Sequence, residues 1–278
     1  MKLHSKRFNC LLVNPPLCRD GCYEKTVAPL VPTQLLSLAT VLRKNGFQSN
    51  VLDLAIMEDP VRRFHDALDS LKPGFVGFSN HTVINLDVIE TLAKIAKEHG
   101  ARTLIGGVNP TNMQIEISSF VPSADRLFTG FSEHSLLSFM CDPDQPRIMA
   151  AGNIAFPDHI PDIGMLFELR HYTNNLYPIE TQRGCNSRCR FCTSHMNTKS
   201  IRRKHELVLK EIKAAHTAGF REFFITDNTF TENKEHAIGL CNRIAELRAA
   251  KAMDFSMIAM TRLDLVIQPI KTIGRASP

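Results

Sequence analysis

The chain reads ETQRGCNSRCRFCTSHM from Glu180 to Met196, and Cys185, Cys189 and Cys192 stand on it with three and then two residues between them. Thiols this close in sequence can converge on one small inorganic centre. Three thiolates hold three irons of a [4Fe–4S] cube and leave the fourth iron open, whereas a carrier ligated wholly by protein uses four. The missing fourth cysteine points to an open, reactive iron. Other chemistries fit the same residues. His195 follows Cys192 by three positions, so a structural Cys3His zinc site is possible. Cys189 and Cys192 alone would form a thioredoxin-like pair, which leaves the third thiol without a role. Incidental buried cysteines fit least, because the loop is polar and rich in arginine.

Such a loop needs a rigid frame. At 278 residues the chain is long enough for two domains of about 100–200 residues each. An apolar share of 44% with 22% charged residues is ordinary for a globular protein, and a net charge of +5 tolerates anionic ligands without indicating nucleic acid. No apolar run approaches the ~20 residues of a membrane span, and the amino-terminal apolar run is too short for a secretory signal. The expected location is cytoplasmic, where the eight cysteines stay reduced and serve metal or redox chemistry.

The first 140 residues alternate short apolar runs with helix-period segments. FNCLLV (Phe8–Val13), FQSNVLDL, GFVGFS (Gly74–Ser79), RTLIGG (Arg102–Gly107) and DRLFTG read as five strands with helices between them, among them Pro32–Gly46. Five such repeats predict a doubly wound parallel sheet of the flavodoxin or Rossmann kind, with strand order 2-1-3-4-5 and ligands beyond the carboxyl ends of the strands. Those ends carry Asn14, Ser79, Gly106, Gly107, Thr129 and Gly130. The glycines either admit a bulky ligand to the backbone or serve only as turns. Residues 141–177, rich in proline, aspartate and glycine, read as a linker. From 178 a second β–α series begins: the cysteine loop follows its first strand, then come a helix (Lys204–Gly219), a strand (Arg221–Asn228), another helix, and a third strand within Met253–Val266. The expected domains are 1–140 and 178–278.

With these elements in place, RGCNSRCRFC resembles the C-x3-C-x2-C signature of the radical S-adenosylmethionine (radical SAM) enzymes, including Phe191 before the last cysteine. LLVNPP, GGVNPT, FTGFSEHSL, IPDIGM and FFITDNTFT are similar to the subgroup with an amino-terminal cobalamin-binding domain, so the likeness runs from about Phe8 to Val266. The resemblance implies a cobalamin-binding Rossmann-like domain followed by a partial (β/α) radical SAM barrel. It implies a [4Fe–4S] cluster on Cys185, Cys189 and Cys192, S-adenosylmethionine on its open iron, and reductive cleavage to a 5′-deoxyadenosyl radical for methyl transfer or ring formation at an unactivated carbon. Phe191 would lie near the adenine, and Thr226, Asp227 and Asn228 near the methionyl amino group. An N-cap or turn role suits Asp227 equally. Cobalamin would sit near Asn14, Ser79, Gly106, Gly107 and Gly130. Partners would be a small-molecule substrate and an electron donor such as flavodoxin or ferredoxin, with no nucleic acid.

Several residues carry competing readings. Arg262 and Asp264 could face the barrel interior or form a plain surface ion pair. The basic run Lys199–Glu206 reads as a solvated face with one arginine reaching the site, not as an RNA patch, and His81 as either a cobalamin contact or an ordinary loop histidine. The D-x-H-x-x-G motif that supplies a lower cobalamin ligand elsewhere is absent, as it commonly is in this subgroup. A tRNA methylthiotransferase is a rival class, but its extra cysteines would be distributed through the amino-terminal domain, whereas Cys10, Cys18 and Cys22 crowd its first loop. A non-catalytic cobalamin- or zinc-binding module is a third reading. From 178 only 101 residues remain, against about 250 for a full (β/α)8 barrel. The expectation is an incomplete barrel with strand three as an exposed edge.

Overall fold

A computed structural model describes residues 9–19, 22–24, 29–150, 155–166, 169–172, 176–187, 189–192, 200–251 and 253–265. His195, Lys199 and Val266 lie outside the described residues. The chain divides into two units, Met1–His171 and Tyr172–Pro278. Among the described residues no helix is long and apolar enough to cross a membrane.

The first unit runs β1 (Asn9–Asn14), β2 (Leu17–Arg19), β3 (Cys22–Glu24), α1 (Thr33–Lys44), β4 (Gln48–Asp53), α2 (Pro60–Leu71) and β5 (Phe75–Ser79). It continues with α3 (Leu86–Glu98), β6 (Arg102–Gly106), α4 (Val108–Asn112), α5 (Gln114–Phe120), β7 (Arg126–Thr129), α6 (Glu133–Cys141) and β8 (Ile148–Ala150). Six strands form one parallel sheet in the order β4-β1-β5-β6-β7-β8. Counted along the chain this is 2-1-3-4-5-6, the doubly wound order expected from sequence plus one strand. The extra strand, β8, lies in the stretch read as a linker; three residues between Pro143, Pro146 and the segment beyond are too short to show a period-2 pattern. More of that stretch is folded onto this unit. The backbone N–H of Asp162 donates to Thr40 Oγ1 at 3.0 Å, and Leu166 bridges Val51.

Helices cover both faces, so the central strands bury side chains on both sides and read as unbroken apolar runs. Cys10 to Val13 of β1 and all five residues of β5 are buried. Burial pushes the Cys10 thiol up to about 12 and leaves it inert. The helices start and stop where local chemistry dictates. Asp59 caps α2 by accepting from the Arg62 N–H at 3.2 Å, with Pro60 in the first turn, where its missing N–H costs nothing. A second difference from the sequence reading is the antiparallel ribbon of β2 and β3, which occupies what read as loop after β1.

The second unit holds β9 (Tyr177–Ile179), β10 (Gln182–Arg183), β11 (Ile201–Arg202), α7 (His205–Thr217), β12 (Glu222–Ile225), α8 (Lys234–Lys251) and β13 (Ser256–Ala259). Strands β9, β12 and β13 are parallel in the order β13-β12-β9, joined by α7 and α8 as two β–α–β crossovers. Tyr177, Phe220, Phe223 and Phe255 pack edge-on and tilted at centroid spacings of 5.1–6.0 Å. They form an aromatic core against Val208, Ile212 and Leu240. Among the described residues β13 pairs with β12 alone, and Ile258 is 52% exposed.

Candidate active site

The cysteine loop leaves β10 and returns through β11. These strands pair antiparallel, Gln182 with Arg202 and Arg183 with Ile201, so a two-rung ribbon closes the base of the loop. None of the three thiols is in a disulfide; Cys185 is 8% exposed, and Cys189 and Cys192 are half-buried. A turn brings the Cys192 N–H to the Cys189 carbonyl at 3.0 Å. Phe191 in that turn is 92% exposed, an aromatic ring on a polar loop available to a ligand.

Arg262, three residues past β13, comes to this loop. Its Nε and Nη2 donate to the two carboxylate oxygens of Asp264 at 3.0 and 2.8 Å, while Nη1 stands 3.9 Å from Cys189 Sγ. The surface ion pair read from sequence is real, and it aims the remaining nitrogen at a thiol. Arg262 is held more firmly charged, first by the Asp264 hydrogen bond and further by Cys189 and Cys185.

The segment past β12 separates three residues that the sequence grouped. Thr226 is half-buried and Asn228 exposed. Asp227 is 1% exposed and committed to the strand before the cysteine loop. Its carboxylate accepts from the backbone N–H of Thr181 at 2.7 Å, from that of Gln182 at 2.9 Å, and from the Thr181 hydroxyl. Burial raises the Asp227 carboxyl, and the Thr181 and Gln182 bonds pull it back. Its work is to tie the end of β9 to the end of β12.

Two features escaped sequence reading. Glu232 accepts from the backbone N–H of Asn186 at 2.6 Å, from Asn186 Nδ2 at 3.3 Å and from Gln182 Nε2 at 3.2 Å. Nothing in TFTENKEH marks it, since its partners lie about fifty positions away. Within the basic run, Arg203 is buried and meets the buried Glu211 at 2.6 Å, and Tyr177 donates to the same carboxylate at 3.1 Å. Burial pushes the Glu211 carboxyl up, opposed by Arg203. This ion pair, rather than a nucleic-acid patch, accounts for Arg203.

In the first unit the candidate residues share one sheet edge. Asn14, Ser79, Gly106 and Gly130 end or follow β1, β5, β6 and β7, which are adjacent in the sheet. Asn14 donates to Asp53 at 2.8 Å, and Ser79 donates to Asn14 at 3.2 Å. Gly107 has its own structural need. Its φ is +124°, and a Cβ there would stand 2.4 Å from the Asn80 carbonyl oxygen. Gly130, at φ +70°, makes the turn after β7, its N–H donating to Thr111 Oγ1. Val83 and Ile84, between β5 and α3, and Val108, at the start of α4, are exposed, and His81 is an exposed loop residue. In the ribbon, Cys18 pairs with Tyr23 and Cys22 with Arg19, which puts the two thiols on opposite faces. With Cys10 buried in β1, these three cysteines do not present a common set of ligands.

The donor set suits an iron–sulfur cube: three thiols outside any disulfide, with the Arg262 guanidinium beside one of them. Among the described residues no three His, Cys, Asp or Glu side chains converge to hold a single metal ion.

A three-cysteine loop beyond the first strand of a parallel β–α series sets the frame for comparison with known proteins. Residues 179–266 match the sequence profile of the Radical SAM superfamily, so the likeness to that superfamily lies in the second unit. It is 28% identical over 251 residues to an anaerobic magnesium-protoporphyrin IX monomethyl ester cyclase of Rubrivivax gelatinosus, across 77% of this chain and 44% of that protein. It is 30% identical over 129 residues to an uncharacterised methyltransferase of Pyrococcus horikoshii, across 44% of this chain and 26% of that protein. In fold it is similar to the cobalamin-dependent radical SAM enzyme OxsB, with a TM-score of 0.76 and 18% identity over 96% of this chain and 40% of that one. It is likewise similar to the radical SAM methyltransferase TsrM of Kitasatospora setae, solved with cobalamin and a [4Fe–4S] cluster, with a TM-score of 0.71 and 19% identity over 88% of this chain and 52% of that one. The chain spans about half or less of the length of each of these proteins.

Proposed function

We propose that this chain is the cofactor-binding portion of a cobalamin-type radical SAM enzyme that transfers a methyl group or closes a ring at an unactivated carbon of a small molecule. Cys185, Cys189 and Cys192 would hold the cluster, and S-adenosylmethionine would bind its open iron. When reduced by a flavodoxin- or ferredoxin-like donor, such a centre cleaves S-adenosylmethionine into methionine and a 5′-deoxyadenosyl group able to take hydrogen from carbon. The chain's own residues prepare the place. Arg262, braced by Asp264, keeps positive charge beside Cys189. Phe191 would offer a ring face to an adenine, and Thr226 and Asn228, past the end of β12, would lie near the methionyl amino group. Asp227 fixes the strand that leads into the loop. In the first unit Asn14, Ser79, Gly106, Gly107 and Gly130 would carry cobalamin by shape and backbone, without a lower histidine ligand.

The observation that supports this reading most directly is the loop of three thiols outside any disulfide, with Arg262 beside one of them. Anaerobic reconstitution with iron and sulfide tests it. About four irons per chain, matching sulfide, a brown chromophore and a spectral change on adding S-adenosylmethionine are expected. A colourless protein without sulfide, or one zinc per chain, would sink it. Cobalamin is tested separately, by whether cobalamin co-elutes with the chain at stoichiometric amounts.

A further inference from the structure

We infer that Glu232 is a positioning residue that sets the cysteine loop, acting through Asn186 at both ends of it. The inference rests on the reading of that loop as the cluster site. Glu232 Oε1 accepts from the backbone N–H of Asn186 at 2.6 Å, immediately after Cys185. Its Oε2 takes the Asn186 side-chain amide at 3.3 Å and the Gln182 amide at 3.2 Å. Asn186 Oδ1 in turn accepts from the Ser200 N–H at 3.3 Å. One carboxylate therefore holds the outgoing strand at Gln182, shortly before the first thiol, and through Asn186 the point where the chain returns to β11.

The arrangement extends the β10–β11 ribbon beyond its two backbone rungs. Past Arg183 the chain turns at Gly184, whose φ is +79°, and the ladder cannot continue in regular form. Side chains take over there. Asn186 supplies both a donor to Glu232 and an acceptor for Ser200, which an aliphatic residue or an aspartate cannot do at once. Glu232 belongs to the connection between β12 and α8, the same connection that carries Asp227. The two carboxylates act on successive points of the strand. Asp227 is buried and fixes Thr181 and Gln182, whereas Glu232 is half-buried and fixes Gln182 and Asn186. Hydrogen bonds to a charged acceptor are about twice as strong as neutral ones, and three on one carboxylate hold the Cys185 backbone in place before any metal arrives. Preformed geometry favours a centre with one open position over loose coordination.

The experiment compares wild type, Glu232→Ala and Glu232→Gln by alkylation of the metal-free, reduced chain, read by mass spectrometry at each cysteine. Loss of the carboxylate is expected to speed alkylation of Cys185 about tenfold, the scale set by one charge-assisted bond. Cys241 on α8 is the internal reference and is expected to be unchanged. Glu232→Gln keeps one acceptor for the Asn186 N–H and is expected to fall between the two. Iron retained after reconstitution should follow the same order. Equal Cys185 rates in all three proteins would overturn the inference. So would acceleration of Cys185 and Cys241 together, because that marks general loosening. If wild type takes up no iron yet Cys185 still responds selectively to Glu232→Ala, the brace stands and the cluster reading falls.

Discussion

Arg203, Glu211 and Tyr177 show how one buried contact can anchor an element. Each is almost fully enclosed, and the arginine also donates to the Glu180 carbonyl at 3.1 Å, so α7 is tied to the strand that launches the cysteine loop. Desolvating two charges costs about as much as their attraction returns, but stranding one of them is expensive. Glu211→Gln is expected to lower unfolding stability by about 3–5 kcal/mol, measured by urea denaturation. The double substitution Arg203→Met with Glu211→Leu should recover most of it. A loss in Glu211→Gln no larger than about 0.5 kcal/mol, typical of a surface change, would show that the pair is not desolvated. Cys10 makes the opposite point: enclosed in β1, it is a small apolar residue that happens to contain sulfur.

At the scale of elements, the amino ends of α7 and α8 meet through two imidazoles. His205 Nε2 and His236 Nδ1 are 3.0 Å apart, with Glu206 paired to Arg243 beside them. A helix amino end disfavours positive charge. Burial, then His205 and Arg202, lower the His236 pKa from its ordinary 6.5. Because the folded-state value lies below the unfolded one, the unfolded chain binds more protons as pH falls through 6.5, and stability drops over that window. Thermal unfolding at about pH 7.5 and about pH 5.5, either side of the ordinary histidine range, measures it, and His236→Gln should flatten the difference. An equal pH response in the variant would refute this account. Neither this pair nor Glu232 was legible in the sequence, because each joins residues some thirty to fifty positions apart. What was legible has local causes. The doubly wound order follows from apolar runs alternating with helix-period segments, and the thiol loop from three cysteines in one short stretch. Strand β8 and the β2–β3 ribbon were lost because three-residue strands carry too few positions to show a period. Asp227 was visible, but its direction was not: only the fold shows it turned toward Thr181.

For the molecule as a whole, the second unit ends its sheet at β13 among the described residues, with Ile258, Met260 and Leu263 exposed there. An unpaired apolar edge invites another strand. The 278-residue chain is expected to show a concentration-dependent mass by light scattering, and Ile258→Lys should bring it toward the monomer. A strictly monomeric wild type would argue that the edge is protected. Elsewhere in the same unit, the tie between Asn186 and Ser200 has a different meaning. The polypeptide departs from the framework and rejoins it at almost one place, so a lineage could alter the residues around Cys189 and Cys192 without disturbing the sheet beneath, provided those thiols and the two moorings stayed fixed.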